Sequence, residues 1–275
     1  MGEYISIDEV SLSKGELYTY LTNKKGRGKK GTLIASISGT KSQDIIEVIN
    51  QIPLEKRKLV KEITLDMANN MNLVAKMCFP NAKIVTDRFH VVKLVTEALQ
   101  HIRIEHRWDE IKKENQAIKQ AKENGTKHIP IVLSNGDSPK QLLARSRYII
   151  TKKKMDWTKN QQERAKLLFE LYPNIEKAYK HSMEFRAIFE LTDKLIALEK
   201  LKHWIEKSKE LTFDNFNIAA NSINYHLETI LNFFNNRHTN ANAESFNSKI
   251  KLFRANLRGV TDVKFFLFRL EKLFA

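Results

Sequence analysis

Three short apolar runs in the N-terminal part of the chain close on the same residue type. ISID ends at Asp8, ITLD at Asp66 and IVTD at Asp87. In the first two, strand alternation puts Ile5 and Ile7, or Ile63 and Leu65, on one face, and Ser6 with Asp8, or Thr64 with Asp66, on the other. If these strands are parallel neighbours, about 4.8 Å apart, their aspartates meet at the carboxyl edge of the sheet. That edge is where open α/β sheets place ligands. Adjacent carboxylates repel and share a proton unless a cation lies between them. Mg²⁺ takes such oxygen ligands, and two ions roughly 3.5–4 Å apart can activate an attacking oxygen and stabilise a leaving one in phosphoryl transfer.

A plainer reading makes each aspartate the cap of the helix or turn that follows. It suits Asp87, directly before RFHVV, and makes His90 a packed or surface histidine. It suits Asp8 poorly, because more strand follows, and Asp66 fits either reading. A fourth acid, Glu244, lies in NANAESFNSKIK, residues 240–251. There Phe246, Ile250, Phe253 and Leu257 form an apolar helical stripe. At about 100° per residue Glu244 falls off that stripe, near Ser248 and Lys251. Spacing alone does not separate a ligand from a solvated glutamate.

The elements that must position these residues change character along the chain. Residues 4–87 read as α/β: strands at YISIDEVSL, ELYTYLT and GTLIASIS, a helix at KSQDIIEVINQI stopped by Pro53, then EITLD, the helix NNMNLVAKMC and AKIVTD. Three strands in series followed by alternating helix and strand predict a mixed five-stranded sheet with helices on its faces. From Arg88 to about Asn236 the pattern is helical, with starts at SPKQ (Ser138, Pro139) and TKNQ (Thr158, Gln161) and a linker at NGTKHIPIVLSNGDSP. Two further helices close the chain, at 241–257 and about 261–274.

Lysine and arginine exceed aspartate and glutamate by 47 − 32 = 15, and pI is near 9.7. Such a balance favours a polyanionic partner, nucleic acid above all. The single cysteine, Cys78, excludes an internal disulfide and a cysteine-rich zinc site. No apolar run long enough for a membrane span and no signal peptide is present, so the expected location is the bacterial cytoplasm, at the nucleoid, with no membrane partner. A strand begins at residue 4 with no leader, which suggests the later part of a larger protein or one of two separately encoded pieces.

Taken in order, ISIDE, ITLDMANNM, KIVTDRFHVVKLV and NANAESFNSKIKLFRANLRGVTDVKFFLFRL resemble the DDE transposases of bacterial insertion sequences, most closely the ISL-three family. The resemblance covers nearly the whole chain, and its DRFHVVK and NxxxESxNxKIK blocks are specific. It implies a ribonuclease-H-like α/β catalytic core: residues 1–87 begin it, 88–236 are a large helical insertion whose first helix (about 88–105) packs on the core, and 237–275 complete it. It identifies Asp8, Asp66 and Glu244 as the catalytic, metal-binding triad for two Mg²⁺ ions, with Mn²⁺ able to substitute, and leaves Asp87, His90 and His238 as accessory candidates. The expected chemistry is cleavage and strand transfer at element ends, by a homo-oligomer on DNA. Relatives usually carry an N-terminal region with zinc-binding and helix-turn-helix elements, which this sequence lacks; a separately encoded recognition protein would supply it. Two alternatives keep the fold: a nuclease that only cuts, and a remnant that binds DNA without reacting.

DNA lying over an acidic site needs cations around it. The turn KKGRGKK offers Lys24, Lys25, Arg27, Lys29 and Lys30, with glycines that let backbone approach phosphate. The last core helix offers Lys249, Lys251 and Arg254, with Arg258 beyond, and NNRHTN offers Arg237 and His238. In RSRYIITKKKMDW, Arg145, Arg147, Lys152 and Lys153 interleave with Tyr148 and Trp157, a composition suited to unpaired strands, although a tryptophan there also serves as a core anchor.

Overall fold

The computed structural model describes residues 1–12, 15–237, 241–257 and 262–275, in two compact units. Met1–Val91 and His226–Ala275 form the first, and Val92–Tyr225 the second. In the first, β1 (Tyr4–Ser11), β2 (Leu17–Asn23) and β3 (Leu33–Ser38) are antiparallel neighbours. The turn after β2 is tight because Gly26 has no Cβ: one built there would meet the backbone of Thr32 at 2.5 Å. After α1 (Ser42–Asn50) and α2 (Leu54–Lys58), the chain enters β4 (Glu62–Leu65), α3 (Asn69–Cys78) and β5 (Lys83–Thr86). The sheet order is β3-β2-β1-β4-β5, with β1, β4 and β5 parallel.

The alternation seen in the sequence sorts the two faces. Ile5, Ile7, Ile63 and Leu65 are buried against Ile45 and Ile49 of α1 and Val74, Ala75 and Cys78 of α3. Each buried isoleucine, leucine or valine among them contributes about 1.5–3 kcal/mol. Ser6, Asp8, Thr64 and Asp66 therefore face the other way.

The unit boundary falls inside α4 (Arg88–Glu123). The second unit continues with α5 (Pro139–Arg145), α6 (Lys159–Leu171), α7 (Pro173–Ile188), α8 (Lys194–Glu210) and α9 (Asp214–Tyr225), and its described residues contain no strand. The starts read from sequence form as expected: Gln161 and Thr158 exchange side-chain and backbone hydrogen bonds at α6, and Gln141 accepts from the Ser138 amide at α5. Inside, Trp204 stacks on His181 at 4.5 Å and donates to its carbonyl, with Phe185 and Phe216 around them.

The short helices α10 (Leu227–Leu231) and α11 (Phe233–Asn236) belong to the first unit. Thr229 bonds Thr86 at 2.7 Å, Asn232 donates to the Ile84 carbonyl at 3.0 Å, and Asn236 donates to Glu62 at 2.9 Å. These bonds, together with the buried Ile230, Leu231, Phe233 and Phe234, dock the segment on the first unit. Finally α12 (Ala241–Asn256) and α13 (Val263–Phe274) cover the second sheet face, where Phe246, Ile250, Phe266 and Leu270 bury Val10, Tyr18, Tyr20 and Leu33. A mixed five-stranded sheet with helices on both faces is the ribonuclease-H-like α/β arrangement.

Candidate carboxylate site

Strand register brings three aspartates into one row. β1 and β4 pair Tyr4 with Glu62 and Ser6 with Thr64, an offset of 62 − 4 = 58; carried on, 8 + 58 = 66 aligns Asp8 with Asp66. β4 and β5 pair Glu62 with Lys83, an offset of 83 − 62 = 21, and 66 + 21 = 87 aligns Asp66 with Asp87. The Asp87 amide extends that ladder by donating to the Leu65 carbonyl at 2.8 Å. Asp66 and Asp87 directly follow the ends of β4 and β5, Asp8 lies within β1 three residues before its end, and neighbouring strands are about 4.8 Å apart.

Their surroundings differ. Asp87 is buried; its Oδ1 accepts from the Phe89 amide at 3.4 Å, as a helix cap does, and its Oδ2 pairs with His90 Nδ1 at 3.2 Å. That bond holds the His90 ring above its usual value, and the charges of Asp66 and Asp8 lift it further. Asp66 Oδ1 accepts from the Ala68 amide at 2.8 Å, closing the turn into α3. Asp8 accepts from the Glu9 amide at 2.9 Å on one oxygen and from Asn247 Nδ2 at 2.6 Å on the other. Burial pushes the Asp8 carboxyl up to about 6; the two hydrogen bonds and His90 oppose this, and Asp66 adds to it. Among the described residues neither Asp8 nor Asp66 sits in an ion pair.

Asn247 belongs to α12, so its bond ties that helix to β1. Glu244 lies three residues earlier on the same helix. Its carboxyl is raised, first by burial and then by Asp87, while His90 draws it down. Glu244 thus senses the Asp87–His90 side of the row. Among the described residues no three His, Cys, Asp or Glu side chains converge closely enough to hold one metal ion. The donor chemistry fits a hard divalent ion, since Asp8 is desolvated, lacks a cation and adjoins a second carboxylate; the fit is that of a two-carboxylate foothold, not of a closed triad.

Cations gather nearby on the same unit. Lys25, Arg27, Lys29 and Lys30 are exposed on the turn between β2 and β3. Lys249 Nζ reaches the Gly28 carbonyl at 3.0 Å, which anchors this turn to α12. Gly28 is left-handed (φ 72°), and a Cβ there would meet that ammonium at 2.8 Å. Lys24 departs from expectation: it turns inward, hydrogen-bonded to Thr64 and 3.5 Å from the buried Glu62, and burial lowers its pKa. Lys251 is exposed, whereas Arg254 is held by both oxygens of Glu16 at 3.0 and 3.2 Å and lies over the Phe266 ring. Arg237 is exposed, 5.5 Å over the Phe233 ring. His238 and Arg258 lie outside the described residues.

In the second unit, Trp157 is a core residue: 7% exposed, donating to the Ile149 carbonyl at 2.9 Å and packed on Tyr179 and Phe169. Its apolar body and single donor are both satisfied inside, so it offers no ring to a base. Arg145 is ion-paired to the buried Asp137, which Arg164 also holds at 3.1 Å, and Lys153 pairs with Glu190. Arg147 and Lys152 remain exposed, with Arg147 over the Tyr148 ring.

The family model described as transposase, of the ISL3 (ISL-three) DDE type, matches residues 5–270. The chain belongs to the ISL-three transposase family. It is also similar to the transposase for insertion sequence element IS1001 of Bordetella parapertussis, 20% identical over 275 residues that make up 99% of this chain and 61% of that relative. The chain therefore spans about three-fifths of the relative's length. Two groups in this ISL-three chain escape a reading by charge and spacing. Asn247 is neutral, and only its place in the NxxxESxNxK block marks it. His226 is buried close enough to Asp66 to feel its charge, although burial outweighs it and lowers the ring's pKa; nothing in SINYHLET signals that.

Proposed function

We propose that this chain is the catalytic part of a DDE transposase, performing metal-dependent DNA strand cleavage and strand transfer at insertion-sequence ends. The observation that carries this is the register match of Asp8 with Asp66, with α12 pinned to Asp8 three residues from Glu244. Asp8 and Asp66 would hold Mg²⁺, or Mn²⁺ in its place, with Glu244 approaching from α12 to complete the set. Bound there, a pair of ions would supply activation of the attacking oxygen and stabilisation of the leaving one. Hydrolysis at an element end and attack of the released 3′-hydroxyl on target DNA are both in-line displacements at phosphorus. Neither needs a covalent protein intermediate, so no serine or tyrosine nucleophile is assigned.

The chain's own residues bind and screen. Lys25, Arg27, Lys29 and Lys30 on the turn, with Lys249 and Lys251 on α12, would neutralise backbone phosphates beside the carboxylates. His90, held by Asp87, places partial positive charge next to the row and eases ionisation of Asp8. Residues 88–236 act as an insertion within the core, which is why an acid 244 − 66 = 178 positions beyond Asp66 belongs to the same site. DNA ends and target, a homo-oligomer on DNA and a separately encoded recognition protein are the proposed partners.

The test supplies the full chain with a pre-cleaved 3′-hydroxyl end, supercoiled target and Mg²⁺ or Mn²⁺. Joined products support transposition chemistry. Cut but never joined DNA favours a nuclease that only cuts. DNA binding with neither product favours a non-reacting remnant.

A further inference from the structure

Asn247 is held in an arrangement that its own chemistry does not complete. Its Nδ2 donates to Asp8 Oδ2 at 2.6 Å, at the short end for an amide donor. Its Oδ1 is buried and, among the described residues, has no hydrogen-bond partner. A buried carbonyl oxygen left unpaired costs about 1–3 kcal/mol, so it calls for an explanation. The alternative is to rotate the amide by half a turn. That would set Oδ1 against Asp8 Oδ2, two electron-rich oxygens at contact distance, which at a pH where Asp8 is ionised is tolerable only with a cation between them.

Asparagine carbonyls are ordinary ligands for hard divalent ions, alongside carboxylates. Asn247 projects from the helix that also carries Glu244, one turn away. The neighbourhood holds a two-carboxylate foothold in Asp8 and Asp66, and no third acid or histidine converges on it among the described residues. A neutral oxygen donor at Asn247 is the group within reach.

We propose that Asn247 is a metal ligand of this site: its amide turns over when a divalent cation binds, and Oδ1 joins the Asp8 carboxylate in holding the ion. The inference rests on the reading of Asp8 and Asp66 as metal-holding carboxylates. Without the ion, the Nδ2 hydrogen bond keeps α12 seated on β1; with it, the same residue makes that connection through the metal.

The experiment titrates Mn²⁺ into the full chain without DNA, following free Mn²⁺ by electron paramagnetic resonance, and records thermal unfolding with and without the ion. Asn247→Leu, which keeps size but removes the oxygen, is expected to weaken Mn²⁺ binding 10- to 100-fold. Asn247→Asp, which loses the donor but keeps the oxygen, is expected to melt lower than the native chain without metal, to bind Mn²⁺ at least as tightly, and to recover its melting temperature when Mn²⁺ is added. Mn²⁺ affinity within twofold of native in Asn247→Leu, together with loss of binding in Asp8→Asn, overturns the inference and leaves the Asp8 reading standing. Asn247→Asp that melts lower with no recovery in Mn²⁺ overturns it too, since a purely structural role predicts that result. Binding unchanged in both Asp8→Asn and Asn247→Leu overturns the inference together with the carboxylate reading beneath it.

Discussion

Asp8 ionises inside the fold against a desolvation penalty that lifts its carboxyl to about 6, from an ordinary 3.8. The sign of its effect on stability follows from proton binding. Below pH 3.8 it is protonated in both the folded and the unfolded chain and costs nothing. Between 3.8 and 6 the unfolded chain binds fewer protons than the folded one, so stability falls as pH rises. Above about 6 the penalty is fully present, at roughly 3 kcal/mol by the 1.36 kcal/mol per unit conversion. In the metal-free protein, Asp8→Asn is therefore expected to raise the thermal midpoint by several degrees at about pH 7.5 and to leave it unchanged near about pH 3.5, as read by circular dichroism melts. A lower midpoint for the variant at the higher pH would show that the carboxylate is structural and not strained. A group that costs stability where it stands is what a functional site tolerates.

The elements explain which basic residues are available to DNA. The turn after β2 looks uniformly cationic in sequence, yet its first lysine is drawn into the sheet by Glu62 and Thr64, while the next four basic side chains face solvent. Charge density along a sequence does not report which way a side chain turns, and the acid that captures Lys24 lies on a distant strand. Replacing Lys25, Arg27, Lys29 and Lys30 with glutamine should flatten the dependence of log affinity on log salt for duplex DNA, by about 0.9 for each phosphate no longer neutralised. Lys24→Met should leave that slope alone and lower the melting temperature instead, because the buried Glu62 would lose its ion pair with Lys24. Fluorescence anisotropy across a salt series separates the two; an equal change of slope in both would put Lys24 at the DNA surface. Trp157 is a core anchor, and the exposed Arg145 is ion-paired to Asp137.

At the scale of the whole molecule, much of the fold was legible. Period-two alternation ending on aspartate placed β1 and β4, and the Phe246–Ile250 stripe placed α12 on the sheet, because burial imposes those periods. What pattern could not show is contact between remote polar groups: Asn232 and Asn236 docking the return segment, or Asn247 fastening α12 to Asp8. Hydrogen bonds of this kind leave no periodic trace. The register that aligns Asp8 with Asp66 is a property of the assembled sheet, and the catalytic reading depends on it. Its most direct test is Mn²⁺-dependent nicking of DNA carrying an element end, comparing the native chain with the Asp8→Ala, Asp66→Ala double variant under single-turnover conditions. Metal-dependent nicking by the native chain is expected, with a rate lower by about a thousandfold or more in the double variant and DNA binding retained. Nicking by the double variant at the native rate would contradict the catalytic reading.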